Sequence, residues 1–306
     1  MISFLVRRLI MTVPVLVGVA TFTFLLIHFV PGDPIDLMLG ESASYEDKLQ
    51  LREEMGLNQP LLTQYKDYWT KLSQLDLGRS YLSRRPVFDE INDRVGATVE
   101  LALAAIFISL FVGVPLGIIA AVKQYTKFDH SISVLGLLGM SLPGFWVGPM
   151  LILIFSIKLG WFPVSERGGL ESLILPAVSL GLPLAAIMMR MTRASMLDVI
   201  KEDYIRTARS KGMGNFLVYS KHALRNALMP VITILGIQLG ALLTGTVITE
   251  TIFDWPGIGT LFFSSIQQRN YPLVQGCVLL ISTTYVVVNL ATDVMYGVVN
   301  PKVRVQ

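Results

Sequence analysis

The sequence predicts an all-α, polytopic membrane protein with six transmembrane helices. Hydrophobic residues make up 53% of its 306 residues, and charged residues only 15%. A soluble domain carries about 25% charged residues. The charges are absent from blocks of roughly 20 residues, which is the length that crosses the bilayer core as a helix. The single cysteine, Cys277, stands in an apolar run, so no disulfide within the chain is possible.

Six apolar stretches are long enough to span a membrane. The fourth is the weakest, because Pro176 and Pro183 interrupt it. The first follows Arg7 and Arg8 and has no small-x-small cleavage site after it, so we expect it to remain as a helix and not to be removed as a signal peptide. The predicted spans are residues 9–30, 97–122, 131–157, 173–190, 229–250 and 273–298.

Charge asymmetry predicts the orientation of these spans. With six spans, both termini lie on one side of the membrane, and that side holds fourteen Lys and Arg residues against four acidic ones. Basic loops are retained in the cytoplasm, so both termini are predicted to be cytoplasmic. The pI of about 8.9 arises from these loops and does not indicate binding of nucleic acid.

The segment 31–96 is predicted to be external. It contains two candidate helices, residues 45–55 and residues 59–75. Gly56 is well placed to end the first, and Pro60 is well placed to start the second. Two interpretations are equally open: a small cap over the outer mouth of the bundle, or a folded connector.

A polar island, residues 191–229, interrupts the apolar sequence between the fourth and fifth spans. We predict one helix over 198–211, broken at Gly212 and Gly214, and a second over 215–229. A short helix held by two spanning helices can transmit a rigid-body push from a docked partner. The alternative is a basic loop that fixes topology and touches anionic lipid. With Arg190 at its edge, the island holds eight basic residues: Arg190, Arg193, Lys201, Arg206, Arg209, Lys211, Lys221 and Arg225.

Motifs for catalysis and cofactor binding are absent from the sequence. There is no G-x-x-x-x-G-K-[ST] phosphate loop, no H-E-x-x-H and no C-x-x-C. The three histidines, His28, His130 and His222, stand on different predicted segments, so no metal site is expected. We therefore expect this chain to bind no cofactor and to be no enzyme.

Several polar residues within or beside the spans are candidates for a transport path. Ser141, Pro143 and Gly144 interrupt the third span and predict a kink, which either lines a cavity or serves packing. Ionisable residues within spans are functional candidates by default. The remaining candidates are Glu250 and Asp254 after the fifth span, and Asn289 and Asp293 in the sixth. The alternatives for these four residues are solvated loop charges or pairing with a neighbouring helix.

Two motifs in the polar island resemble the coupling loop of bacterial ABC importer permeases, in the variant of the dipeptide and oligopeptide group. They are Tyr204-x-Arg206-Thr207-Ala208-Arg209-x-Lys211-Gly212 and His222-Ala223-Leu224-Arg225-Asn226-Ala227-Leu228-x-Pro230. The broader family pattern is Glu-Ala-Ala, three residues, Gly and a later Leu-Pro. This chain departs from it, since Arg206 and Thr207 stand where Glu and Ala are usual, and Leu-x-Pro replaces Leu-Pro.

Further motifs, in the same order along the chain, resemble the B subunit of that group, as does the long external segment. They are Arg7-Arg8-Leu9, Pro31-Gly32-Asp33-Pro34, Leu77-Gly78-x-Ser80, Glu250-Thr251-x-Phe253-x-Trp255-Pro256-Gly257-x-Gly259 and Asn300-Pro301-Lys302. The resemblance implies a type I ABC importer permease fold in a bacterial inner membrane. It divides the chain into a first helix (1–30), the external segment (31–96) and a five-helix core (97–306) with its coupling loop at 191–229.

The resemblance also implies partners and residue roles. The partners are a homologous C-type permease, two cytoplasmic ATPases that hold ATP and Mg²⁺, an external solute-binding protein and membrane lipid. The expected substrates are short peptides; nickel chelates, glutathione and oligosaccharides are the alternatives within the group. A membrane receptor or scaffold is the rival from another class, and an intramembrane enzyme is disfavoured. The residues expected to contact the ATPase are Tyr204, Arg206, Thr207, Ala208, Arg209, Lys211 and Gly212.

Overall fold

The computed structural model describes residues 2–29, 33–40, 43–165 and 167–299. Its helices are α1 (Ile2–Phe29), α2 (Pro34–Leu39), α3 (Tyr45–Glu54), α4 (Leu61–Ser73), α5 (Val87–Val122), α6 (Lys127–Ser141), α7 (Gly144–Lys158), α8 (Leu170–Val199), α9 (Asp203–Ser210), α10 (Asn215–Leu243), α11 (Val247–Ile252), α12 (Ile258–Gln267) and α13 (Tyr271–Val299). The predicted motif parts Pro31-Gly32 and Asn300-Pro301-Lys302 lie outside the described residues.

Five of the described helices are long and apolar enough to cross a membrane, and a sixth span is formed if α6 and α7 count together. The single spanners are α1, α5, α8, α10 and α13. The interruption predicted within the third span, 131–157, is confirmed, because α6 and α7 meet there at 101°. The break has a local cause: Leu142 is extended (φ −75°, ψ 124°), as the ring of the following Pro143 requires.

Three predicted span boundaries need correction. α5 begins at Val87, ten residues before the predicted start, with Pro86 at its N-cap and acidic residues in its first turn. α8 continues to Val199 and α10 begins at Asn215, so both helices extend into the polar island. A fourth boundary, the predicted end of the fifth span, lies too far along the chain: α10 ends at Leu243, which leaves Glu250 on the separate helix α11. Hydropathy marks only the apolar part of a helix, and at the first three boundaries the helices continue beyond that part.

Helix α8 is the centre of the bundle, packed against α5, α6, α7 and α10. Glycines on α5 allow the closest approach: a Cβ added at Gly117 would lie 2.6 Å from the Met189 carbonyl oxygen, and one at Gly113 would lie 2.6 Å from that of Ala185. Small residues let spanning helices approach closely in lipid, where no hydrophobic force drives them together. Gly236 on α10 likewise packs directly against Thr292 on α13.

The segment between α1 and α5 folds onto the adjacent ends of α1 and α13. Its helices α3 and α4 confirm the two predicted ones, and Gly56 (φ +69°) follows the first while Pro60 precedes the second. We call residues 33–86 the cap segment. Buried Asn270, just before α13, donates to Ser80 Oγ (2.7 Å) and accepts from the backbone N–H of Tyr81 (3.1 Å). These bonds give the Leu77-Gly78-x-Ser80 motif a structural role.

Candidate coupling surface, helix break and acidic cap

The short helix α9 lies across the end of the bundle opposite the cap segment, between α8 and α10. Ile205 is fully buried and Ala208 is 7% exposed, because both side chains point inward. They pack with Met196 of α8 and with Val218 and Ala223 of α10 in one apolar cluster. The helix is therefore amphipathic, with one face set into its own chain.

Two polar contacts tie α9 to α10. The Asn226 amide donates to the Tyr204 hydroxyl (2.7 Å), and the Arg209 guanidinium donates to the Tyr219 hydroxyl (3.0 Å). Arg209 also lies over the Tyr219 ring, 5.6 Å from its centroid. Tyr219 stands in a π-helical segment, Val218–Ala223, of the kind that is frequent at functional sites. Because of these contacts, α9 and α10 form one rigid unit.

The opposite face of α9 is solvent-exposed. Arg206 is exposed over 75% of its side chain and its only ion pair among the described residues is a 3.6 Å contact with Asp203, itself exposed. Thr207 and Lys211 are exposed on the same outer side. Gly212 follows the helix in the left-handed region (φ +77°), which glycine adopts more readily than any other residue.

The predicted helix over 198–211 is wrong in its first part. Asp198 belongs to the end of α8, and a turn over 200–202 precedes α9. Glu202 is extended (φ −65°, ψ 146°) at the N-cap, so the helix restarts there in a new direction. The predicted helix over 215–229 is confirmed as the first part of α10.

An ion pair that sequence reasoning missed lies close to this surface. Arg193 of α8 makes a bidentate contact with Asp129 in the first turn of α6, with N–O distances of 2.7 and 2.8 Å. Asp129 is 3% exposed and also accepts the backbone N–H of Tyr125 (3.0 Å). No sequence signal pairs two residues that are 64 positions apart, and Arg193 was considered only as one of the island's cations.

The break between α6 and α7 brings Ser141, Pro143 and Gly144 together at an exposed corner. Ser141 donates to the Leu137 carbonyl (2.8 Å), which leaves its side chain bonded within α6. The next residue, Phe145, is 62% exposed. Apolar exposure beside interrupted backbone indicates a surface that a neighbouring protein or a water-filled cavity completes.

Glu250 is fully buried in α11, away from any open path in this chain. Its carboxylate accepts the backbone N–H of Thr260 (2.9 Å) and the Thr98 hydroxyl (3.3 Å), and Thr98 in turn accepts the N–H of Ile258 (2.8 Å). Gly257 packs so closely on the carboxylate that a Cβ there would collide with it. Glu250 thus caps the start of α12 in place of the side chain that Gly257 lacks at the N-cap.

The surroundings of Glu250 shift the pKa of its carboxyl, and the same region of the chain holds the buried side chain of Trp255. Glu250 lies outside the spanning helices, and burial raises the pKa of its carboxyl, although the bonds from Thr260 and Thr98 act in the opposite direction. Trp255 is 1% exposed and donates from its indole to the Ala97 carbonyl (2.8 Å). The motif Glu250-Thr251-x-Phe253-x-Trp255-Pro256-Gly257 therefore fastens α11 and α12 to α5.

The other acidic and amide candidates are not brought together. Asp254 is exposed in a left-handed turn (φ +49°), as a solvated charge. Asn289 is half-buried and donates to the Tyr285 carbonyl (3.0 Å) of its own helix. Asp293 forms an ion pair with Arg8 of α1, at the end of the bundle that holds α9. That pair joins the first spanning helix to the last.

Replacing Glu250 with alanine is expected to lower the free energy of unfolding by about 3 kcal/mol, because buried donors lose their acceptor. Glu250→Gln keeps a hydrogen-bond acceptor and the side-chain volume, so its free energy of unfolding should stay near that of the wild type.

A raised pKa in the folded state means that the Glu250 carboxyl stabilises most at low pH and loses that contribution as the pH rises toward the raised pKa. Unfolding measured across a pH series should therefore favour Glu250→Gln increasingly over the wild type as pH increases. Equal pH profiles for the two proteins would contradict the assignment.

Comparisons with known proteins agree with this architecture. Residues 113–305 match the family model described as binding-protein-dependent transport system inner membrane component, and residues 1–102 match the model of its N-terminal part. The dipeptide transport system permease protein DppB of Escherichia coli is 42% identical over 99% of both chains. A glutathione transport system permease protein, GsiC of Escherichia coli, is 41% identical over 99% of both chains.

Among solved structures, an inward-facing form of the MetNI methionine ABC transporter superposes with a TM-score of 0.58 at 19% identity, covering 69% of this chain and 96% of the other. At that identity the likeness concerns the fold alone. The fold is that of the polytopic permeases of ABC importers. The chain belongs to the family of binding-protein-dependent transport system inner membrane components.

Proposed function

We propose that this chain forms half of the transmembrane pore of an ATP-driven importer of dipeptides and other short peptides. A homologous C-type permease supplies the other half of the pore. Two ATPase subunits bind ATP and Mg²⁺ in the cytoplasm, and a solute-binding protein delivers the peptide from outside. The full-length similarity to permeases named for dipeptide transport supports this substrate class.

The observation that carries the proposal is the construction of α9. Its inner face, Ile205 and Ala208, is buried in the same chain, and its outer face presents Arg206, Thr207 and Lys211 to solvent. We assign the outer face to the ATPase, where cationic side chains pair with carboxylates of the partner. Ala208 supports the helix from beneath and makes no direct contact in this scheme.

The same construction transmits force. Tyr204 and Arg209 bind α9 to α10, and the apolar cluster joins both to α8. A displacement of the docked ATPase therefore moves two spanning helices as a rigid body, which biases the bundle between two states of access. The cations around α9 support a cytoplasmic location for this end of the bundle and an external one for the cap segment.

We place the transport path at the corner formed by Ser141, Pro143 and Gly144. Interrupted helices in membranes occur where protein or a water-filled cavity satisfies the freed backbone groups, and such breaks mark binding regions in transporters. The four remaining candidates have other roles in this scheme: Glu250 caps α12, Asp293 pairs with Arg8, Asn289 bonds within α13 and Asp254 is solvated.

Glutathione is the second candidate substrate, because the glutathione permease relatives are nearly as similar as the dipeptide ones. Both substrates are short peptides. The pore chain alone offers no contact that discriminates between them, so a transport assay has to decide.

Purification of this chain from its native membrane in mild detergent tests the proposal. We expect a second permease and ATPase subunits with phosphate-loop motifs to be identified by mass spectrometry in the same complex. Reconstituted with the binding protein, that complex should take up a labelled dipeptide only when ATP is present, with labelled glutathione as the parallel assay. Recovery of the chain alone, or with signalling proteins, would favour a receptor or scaffold.

A further inference from the structure

A second feature, unrelated to α9, is an apolar groove between the first spanning helix and the end of the chain. Residues of α1, α12 and α13 enclose about 570 Å³. The walls of the groove are almost entirely apolar and include Gly18, Phe22, Ile266, Val274 and Val278. Phe22 is 65% exposed, so the groove opens sideways from the bundle, toward the bilayer that surrounds α1 and α13.

The groove has the length of one lipid leaflet. Along α1 it runs from Pro14 to Ile27, which at about 1.5 Å of rise per residue is about 20 Å. One leaflet contributes about 15 Å of hydrocarbon thickness. The polar group of Thr23 does not interrupt the apolar walls, because its hydroxyl donates to the Val19 carbonyl (2.8 Å) of the same helix.

One end of the groove carries a cation. Arg269 is part of the lining next to Tyr271, at the end of α13 that meets the cap segment. Its guanidinium donates to the backbone carbonyl of Asp33 (3.3 Å), while the Asp33 carboxylate is paired with Arg52. The carboxylate is thus taken up by a different arginine, and the cluster of these three charged side chains carries a net positive charge at the level of the membrane interface.

We propose that a phospholipid of the bilayer occupies this groove, with an acyl chain along α1 and its phosphate against Arg269. Charge complementarity carries the assignment: an apolar channel of leaflet length ends at a guanidinium, which suits an amphiphile with one anionic end. An aromatic side chain beside that cation, Tyr271, is typical of the membrane interface. An apolar helix of the partner permease would also fill the channel, but it would satisfy Arg269 only if it carried an acidic side chain at that level, whereas a phospholipid supplies both groups.

Two substitutions distinguish the contribution of the phosphate to lipid binding from that of the acyl chain. Arg269→Gln removes the charge and keeps a donor. Gly18→Leu places an isobutyl group in the groove, and its Cβ has room, because a Cβ added at Gly18 meets no atom within 4 Å. Arg79→Gln is the matched control, since Arg79 belongs to the cap segment and, like Arg269, donates to a backbone carbonyl (Arg84, 3.2 Å), but does not line the groove.

The test is a lipid titration of the complete transporter, purified with its partner subunits and monitored by native mass spectrometry. We expect dioleoylphosphatidylglycerol to bind the wild type and the Arg79→Gln protein equally, and to bind Arg269→Gln roughly fivefold more weakly. Gly18→Leu should lose this binding. Dioleoylglycerol has no phosphate, so its binding to the wild type should be no stronger than the binding of phosphatidylglycerol to Arg269→Gln. Equal binding by all four proteins would overturn the proposal. So would a photo-crosslinker at Phe22 that captures the partner permease instead of lipid.

Discussion

Replacing Gly212 with leucine is expected to reduce ATP-driven uptake about tenfold, while the importer still assembles and hydrolyses ATP. Gly212 has φ +77°, and a side chain there costs about 1–2 kcal/mol of backbone strain. No atom lies within 4 Å of the added Cβ, so the strain is relieved by a change in the turn between α9 and α10 and not by a packing clash. That change alters the angle at which α9 meets its partner. Uptake and ATP hydrolysis by reconstituted complexes measure the effect.

Gly214→Leu is the matched control for this prediction. Gly214 is two positions away, is also exposed and also has open space around a Cβ, but its φ is −61°, which any residue adopts. It should transport at the wild-type rate. Gly212→Asn should retain more uptake than Gly212→Leu, because asparagine tolerates the left-handed region. Normal uptake by Gly212→Leu would remove the coupling role that we assign to this turn.

Replacing Arg193 with alanine is expected to lower the free energy of unfolding by about 3–5 kcal/mol, because it leaves a buried carboxylate without its partner. Asp129 is 3% exposed and has both carboxylate oxygens bonded to Arg193. Since the pair joins α6 to α8, its loss should also loosen the broken span. Chemical unfolding of the purified protein in detergent measures the stability, and cysteine crosslinking across α6 and α8 measures the geometry.

Two controls separate the buried charge from the loss of an arginine. Arg167→Ala breaks a pair with Glu100 in which both side chains are over one-third exposed, and it should cost at most about 1 kcal/mol. The double replacement Asp129→Leu with Arg193→Met removes both charges together and should restore most of the stability, because an apolar pair of similar volume avoids the desolvation cost. A double variant as unstable as Arg193→Ala would show that the ion pair itself is required.

The spans and helix α9 show how much of the fold can be predicted from the sequence. Apolar blocks predicted six spans because a bilayer imposes a length on any helix that crosses it, and the structure has five plus the bent pair. The predicted span boundaries failed where amphipathic turns extend the helices beyond the apolar block, as at Val87 and Val199. The 101° bend was foreseen only as a kink at Pro143, since the sequence marks where a helix is interrupted but not the direction in which it resumes.

For the candidate residues too, the sequence predicted what depends on local residue types and missed what depends on the packing of distant segments. The motif around Tyr204 and Gly212 located the surface helix, because its residue types are local. It did not indicate that Ala208 faces inward, nor that Arg209 is bonded to Tyr219, since both facts depend on where α10 lies. Glu250 was a candidate for the transport path because it stands at the end of an apolar block. The structure instead surrounds it with Thr98 and Thr260, from parts of the chain that only folding brings together.

By itself, the sequence determined the membrane setting and the helical class, predicted the orientation and located the surface helix α9. Each of these follows from composition or from the order of residues within one segment: hydrophobic length, basic loops, and glycine where the chain turns. Only the tertiary structure decided which charges are paired, which acid caps a helix and which apolar face remains open to the bilayer. Those outcomes depend on distances between helices, and such distances are fixed by close packing at residues such as Gly113 and Gly117 against α8, not by any local pattern.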